Sequence, residues 1–202
     1  MLYWRYMNLA ERQHLLQLPL HDVPFVLLDV ESTGLAPQHG DRICEIALMR
    51  WQGGVQQTTF QTLVNPGRPI SPAAYAVNRI DAQALRHAPS FSAICDHVLA
   101  HLENTVIVAH NAPFDIACLD AELLQLRRPH LTNPLVDTLQ LARAFLNYDR
   151  YNLGALANAL GLMRPIHRAM SDVLVLKEVF VYLLNRLQML GVQTCLLYTS
   201  PS

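Results

Sequence analysis

The chain predicts an α/β fold in one domain with a mixed sheet, and three observations carry that reading. Two short apolar runs, residues 105–109 and 135–137, pass directly into helical patterns. A third run, Phe25-Val26-Leu27-Leu28, ends in two acids and a Ser32-Thr33-Gly34 break, which fits an interior strand better than a helix. Finally, Gly53-Gly54 separates two strand-like stretches, 42–51 and 55–64, as in a hairpin, so part of the sheet is antiparallel.

Composition narrows the class. At 202 residues the chain suits one domain with a sizeable core. With 51% hydrophobic and 15% charged residues it is neither disordered nor fibrous, and no apolar run approaches the ~20 residues of a membrane span. A soluble protein is expected. Cys44, Cys95, Cys118 and Cys195 show no paired-ligand spacing, so neither zinc nor a disulfide framework is indicated, and a reducing cytoplasm fits. A net charge of −1 argues against coating nucleic acid by bulk attraction, but not against gripping one strand end through metal ions. Fourteen of the fifteen basic residues are Arg, with Lys177 the exception, a bias that suits planar phosphate contacts.

The elements follow in order. Residues 1–24 scatter Arg5, Glu11 and Arg12 among leucines, without the apolar core and cleavage site of a secretory signal, and are expected to form a helical N-terminal extension. In the first strand, alternation projects Asp29 and Glu31 from one face, their Cα atoms about 6.6 Å apart at two strand rises. Crowded carboxylates without a counter-charge raise each other's pKa, and no Lys or Arg lies between Val26 and His39, so cations are expected there. The plainer alternative is that Asp29 caps the next turn and Glu31 is solvated.

After the hairpin, Asn65-Pro66-Gly67-Arg68-Pro69 is a loop, and Ser71-Pro72 opens a short helix through Tyr75. Ser90 is expected to cap a helix carrying Phe91, Ile94, Val98, Leu99 and Leu102. The strand at 105–109 runs into His110-Asn111-Ala112-Pro113-Phe114-Asp115, where Asn111 reads as an N-cap and Asp115 falls in the first turn of a helix reaching Leu126. An acid there also suits the helix dipole. Asp137 reads as the cap of a helix over 138–146, and a further helix over 152–160 ends at Gly161. The longest helix follows, with Val173, Leu176, Phe180, Leu183, Leu187 and Leu190 as its core stripe. In a regular helix His167 and Asp172 would point about 140° apart, so His167 belongs to the loop before it. The end, Cys195-Leu196-Leu197-Tyr198-Thr199-Ser200-Pro201-Ser202, abandons the helical pattern and resembles translated adapter or vector sequence. Residues 192–202 are expected to be a dispensable tail.

Three segments in order, Asp29-Val30-Glu31-Ser32-Thr33-Gly34, His110-Asn111-Ala112-Pro113-Phe114-Asp115 and His167-Arg168-Ala169-Met170-Ser171-Asp172, resemble the three motifs of the DEDD exonuclease superfamily. The histidine five before the last acid resembles the DEDDh branch, which includes the proofreading epsilon subunit of bacterial DNA polymerase III. The resemblance runs from about Pro24 to Leu190, so residues 25–191 are expected to be the exonuclease domain. It implies a ribonuclease H-like fold, a mixed five-stranded sheet with helices on both faces. It implies a metal site of Asp29, Glu31, Asp115 and Asp172 holding two divalent ions, Mg²⁺ or Mn²⁺, with His167 as general base. Val30, Ser32, Thr33 and Asn111 are implied to line the terminal-nucleotide pocket. Two departures stand out: Asn78-Arg79-Ile80 where many relatives carry His-Gly-Ile, and Val173 where Ala is common.

The function so implied is 3′-to-5′ exonuclease activity releasing 5′-mononucleotides from single-stranded or frayed 3′ ends of DNA, in proofreading or repair. The implied partner is a DNA polymerase or another replication or repair protein. The alternatives are an RNA-trimming exoribonuclease of the same superfamily and a catalytically silent nucleic-acid-binding or polymerase-docking module. Nucleotide release in Mg²⁺ or Mn²⁺ separates the silent module from the enzymes.

Overall fold

The computed structural model describes residues 7–195. The apolar run predicted to be a buried strand is β1 (Phe25–Ser32), whose residues 25–28 are wholly enclosed. It pairs antiparallel with β2 (Ile43–Gln52), which turns at Gly53-Gly54 into β3 (Val55–Leu63). Both glycines have positive φ, 62° and 78°, the conformation that a tight hairpin turn between right-twisted strands demands. On its other side β1 pairs in parallel with β4 (Val106–Ala109), and β4 with β5 (Leu135–Asp137). The sheet order is therefore β3-β2-β1-β4-β5, mixed as expected.

Helices cover both faces because β1, β2 and β4 are apolar on both. Val26, Leu28 and Val30 pack with α4 (Phe91–Leu102) and α5 (Ala112–Gln125). Phe25 and Leu27 face the opposite layer, where α8 (Ala169–Met189) supplies Val173, Leu176, Phe180, Leu183 and Leu187. Phe180 meets Phe25 edge-on at 4.9 Å between ring centroids, an arrangement that aromatic quadrupoles favour. Leu190, expected on that stripe, lies past the last helical residue and is 63% exposed.

Local chemistry sets most boundaries. Asn8 and Glu11 form a reciprocal capping box on α1 (Leu9–Gln17). Ser71 caps α2 (Pro72–Asn78), which continues past Tyr75 to a left-handed Arg79. A short α3 (Ala82–His87), capped by Asp81, was not expected from the sequence. Asp137 caps α6 (Thr138–Phe145) through the Leu139 N–H, and Asn152 caps α7 (Leu153–Ala159). Two expected caps differ. Ser90 precedes α4, but its hydroxyl pairs with that of Ser92. Asn111 precedes α5 in the left-handed region, φ 66°, without a side-chain cap.

Two buried glutamates tie helices to β2. Glu122 of α5, 2% exposed, accepts from Arg42 Nε and Nη2 at 2.8 and 2.6 Å and from the Ile43 N–H at 3.2 Å. Glu45 of β2, 1% exposed, accepts from Arg168 Nε and Nη2, both at 2.9 Å, just before α8. Such pairs define register more than they stabilise, because desolvation offsets much of the attraction.

The expected tail needs correction at its start. Val192 packs on the core, the Leu20 N–H donates to the Gln193 carbonyl at 2.9 Å, Thr194 bridges to Pro19, and Cys195 is 1% exposed. The helical pattern does stop there, but the chain continues as an extended strap over the α1 side of the core. Residues 196–202 lie outside the described residues. Among the described residues, no helix is long and apolar enough to cross a membrane. Deleting residues 192–202 is therefore expected to cost about 1–3 kcal/mol through re-exposure of this apolar surface. Denaturant unfolding checks it, and an unchanged midpoint would refute the strap's contribution.

Candidate active site

The site is assembled where the end of β1 meets the first turns of two helices. Because odd-numbered β1 side chains face α8, Asp29 and Glu31 project toward the start of that helix. Asp172 lies in its first turn and Asp115 in the first turn of α5, each 5% exposed. Asp115 Oδ1 accepts from the Val30 N–H at 3.1 Å, which ties the helix acid directly to the acidic strand. Asp172 Oδ1 accepts from the Ile166 N–H at 3.0 Å, and Asp172 Oδ2 lies 4.0 Å from His167 Nδ1. His167 occupies the loop before α8, as expected, in the left-handed region at φ 56°. One ligand atom each from Glu31, His167 and Asp172 all lie within 4.8 Å of one another.

The electrostatics record this crowding. Asp29 is raised well above the usual carboxylate range, first by desolvation and then by the charges of Asp115, Glu31 and Asp172. Desolvation also raises Asp115, against the Val30 hydrogen bond. Glu31 is pushed up to about 7, by desolvation and then by Asp172 and Glu45, while Arg168 and a hydrogen bond from Asn78 pull it down. Asp172 is raised by desolvation. The nearby cation, Arg168, is already engaged by Glu45, whose carboxyl is held below its usual range by the Arg168 and Ala169 hydrogen bonds in spite of burial. Four hard oxygen donors that disfavour their own ionisation form a set that divalent cations would complete.

The four expected pocket residues divide. Val30 and Ser32 line a cavity of about 490 Å³ with Glu31, Leu35, Val77 and Phe114. Thr33 does not: it is wholly buried, its hydroxyl donates to Asp41 at 2.9 Å and accepts from the Arg42 N–H at 3.0 Å, and its carbonyl takes the Ser71 N–H. Its role is to hold the turn. Gly34 beside it is required by space, because a Cβ there would overlap the Asp41 carboxylate. Asn111 is exposed outside that cavity, and its N–H donates to Asp137 Oδ1 at 2.9 Å. A second cavity, about 590 Å³, is lined by His167 and Asp172 with Arg150, Asn152 and Arg164.

Two residues were missed. Glu45 pairs across the sheet with Glu31, and the period-two alternation of β2 places it on the same face. Asn78, 2% exposed, donates to the Ser32 carbonyl at 3.4 Å and accepts from the Ile80 N–H at 3.1 Å. It stood out in the sequence only as a departure from a motif.

This architecture and acid constellation define a nuclease of the ribonuclease H-like fold. The profile of the exonuclease family matches residues 26–180, and the chain belongs to that family. The DNA polymerase III subunit epsilon of Rickettsia felis is 34% identical over 166 residues, covering 78% of this chain and 72% of the relative. A subunit epsilon-like protein of Rhodobacter capsulatus is 38% identical over 89% of this chain, which spans only 26% of that relative's length. Two Thermotoga PolC-type polymerases are matched over 12% of theirs. Among solved structures, Exonuclease X in complex with 5′ overhanging duplex DNA aligns with a TM-score of 0.66 and 26% identity, covering 80% of this chain and 91% of that one. The zinc-bound form of the E. coli Exonuclease I–ssDNA complex shares the fold, with a TM-score of 0.72 at 19% identity over 83% of this chain and 41% of that one. Exonucleases of this family are divalent-metal dependent.

The raised acids set a pH dependence. A carboxyl whose pKa is higher folded than unfolded binds more protons in the folded state, so stability falls as pH rises between the two values. With chelator present, the melting temperature is expected to fall from about pH 4, the unfolded carboxylate value, through about 7, the Glu31 value, to about 8, the Asp115 value. Added Mn²⁺ is expected to reverse the fall. A flat or rising profile in chelator, by differential scanning fluorimetry, would show that the acids are not crowded.

Proposed function

We propose that the chain is a metal-dependent 3′-to-5′ exonuclease that hydrolyses the terminal phosphodiester bond of DNA and releases 5′-mononucleotides. The observation that carries this reading is the grouping of ligand atoms of Glu31, His167 and Asp172 within 4.8 Å of one another, with Asp29 two residues from Glu31 on the same strand and Asp115 bonded to the Val30 N–H between them. In this reading the four acids would hold two divalent cations, Mg²⁺ or Mn²⁺. Such ions, when bound, stabilise the attacking and leaving oxygens of an in-line phosphoryl displacement.

The chain's own groups do the rest. With Nδ1 toward Asp172, His167 accepts the attacking water's proton at Nε2, and its exposure keeps it reachable by that water. The Val30 N–H and Ile166 N–H hold Asp115 and Asp172 in fixed rotamers, so the cage is preorganised. Leu35, Val77 and Phe114 offer apolar surface on which a frayed terminal base can stack. The epsilon-named relatives support DNA rather than RNA and a polymerase or repair protein as partner, while the four free cysteines accord with a cytoplasmic setting.

His167 and Asp172 are expected to fail differently. Asp172→Asn removes an anionic ligand, so Mn²⁺ affinity and turnover collapse together. His167→Ala leaves the carboxylates in place and loses on the order of 10²- to 10⁴-fold in rate. Calorimetric Mn²⁺ titration beside nucleotide release from labelled single-stranded DNA and RNA separates the two. Wild-type turnover in His167→Ala would remove the histidine from the mechanism, and an inactive wild type would remove the enzyme reading.

A further inference from the structure

His167 is placed almost entirely by its backbone. Its side chain is 57% exposed, and its contact with Asp172 Oδ2 spans 4.0 Å, too long for a hydrogen bond. Its φ of 56° is one that a residue with a Cβ adopts at a cost, and such a conformation persists where its flanks over-determine it. Both flanks are anchored. On the N-terminal side the Ile166 N–H is held by Asp172 Oδ1 at 3.0 Å. On the C-terminal side one carboxylate, Glu45, takes Arg168 Nε and Nη2 at 2.9 Å each and the Ala169 N–H at 3.1 Å.

That second anchor has no substitute in the loop. Arg168 stands at the N-cap position of α8 but makes no side-chain cap bond, so Glu45 takes the first helical N–H from the neighbouring strand. Gln61 of β3 donates to Glu45 Oε1 at 3.1 Å, which fixes the carboxylate in turn. Glu45 is also the cross-strand partner of Glu31. The same β2 residue therefore sets the distance between the β1 acid and the loop that carries the base.

We propose that Glu45 is a positioning residue of the nuclease site: through its fork with Arg168 and its bond to the Ala169 N–H, it fixes the turn that aims His167 at the site. This rests on the exonuclease reading above. It gives Glu45 no contact with substrate and no share in proton transfer. Its effect on rate is carried chiefly by His167, and the double-mutant cycle separates that share from the fork's share in seating α8.

The test is a double-mutant cycle between Glu45→Gln and His167→Ala, reading kcat and KM for release of nucleotides from a single-stranded DNA oligomer in Mn²⁺. Glu45→Gln keeps the shape but weakens the charged fork. In the otherwise native chain it is expected to lower kcat about 10- to 100-fold, the usual effect of a misplaced catalytic group, with KM within about twofold. In the His167→Ala background it is expected to change kcat by less than about threefold. Equal losses in both backgrounds, or native kcat in Glu45→Gln, would overturn the proposal. Should Glu45→Gln fail to fold, Arg168→Lys removes the fork while keeping the charge, and the same non-additivity is expected. A readout without turnover is the His167 ring resonance, assigned among the nine histidines by its loss in His167→Ala. Glu45→Gln is expected to shift or broaden it and leave the other eight in place; an unmoved resonance refutes the positioning role even if the wild type released no nucleotide.

Discussion

Everything at this site follows from placing four carboxylates in one poorly hydrated corner without matching positive charge. Asp29, Glu31, Asp115 and Asp172 each resist ionisation first because burial desolvates them, Asp29 and Glu31 next because of neighbouring acids, and Arg168, the nearby cation, is bound to Glu45. The folded chain stores an electrostatic deficit that dications would remove. Packing on both faces of the sheet supports this cost: the strand that carries Asp29 and Glu31 is enclosed over its first four residues by helices on either side. A more polar strand would admit water, and the deficit with its appetite for metal would fade.

The two buried glutamate–arginine forks give the geometry its second constraint. Glu122 with Arg42 fixes α5, whose first turn carries Asp115; Glu45 with Arg168 fixes α8, whose first turn carries Asp172. Arg42 immediately precedes β2 and Glu45 lies on it, the strand antiparallel to β1. One strand thus registers both helices against the acids of its neighbour. Two helices packed by apolar contacts alone could slide by a fraction of a turn at little cost, whereas a planar fork tolerates no such slip.

Much of this was legible in the sequence because its signals are local. Alternation placed Asp29 and Glu31 on one face, the Gly-Gly pair gave the hairpin, and the helix-angle argument put His167 in the loop. What escaped depended on contacts between distant residues. Glu45 and Arg168 are far apart along the chain, and nothing in the neighbourhood of Glu45 announces its partner. Thr33 sits inside a motif but is turned inward by Asp41, which only tertiary structure reveals. The strap at 192–195 was misjudged because extended chain lacks helical periodicity even where it packs, as Cys195 does.

The openness of His167 bears on the resetting of the cycle. A base that has accepted a proton must discard it before it can serve again, and a base enclosed in the protein needs a chain of waters or side chains to do so. With 57% of its side chain in solvent, the imidazole faces bulk water directly. If His167 serves as the proposed base, its proton would leave to water or to a buffer molecule without a relay, and the reset would be set by solvent chemistry rather than by any motion of the protein.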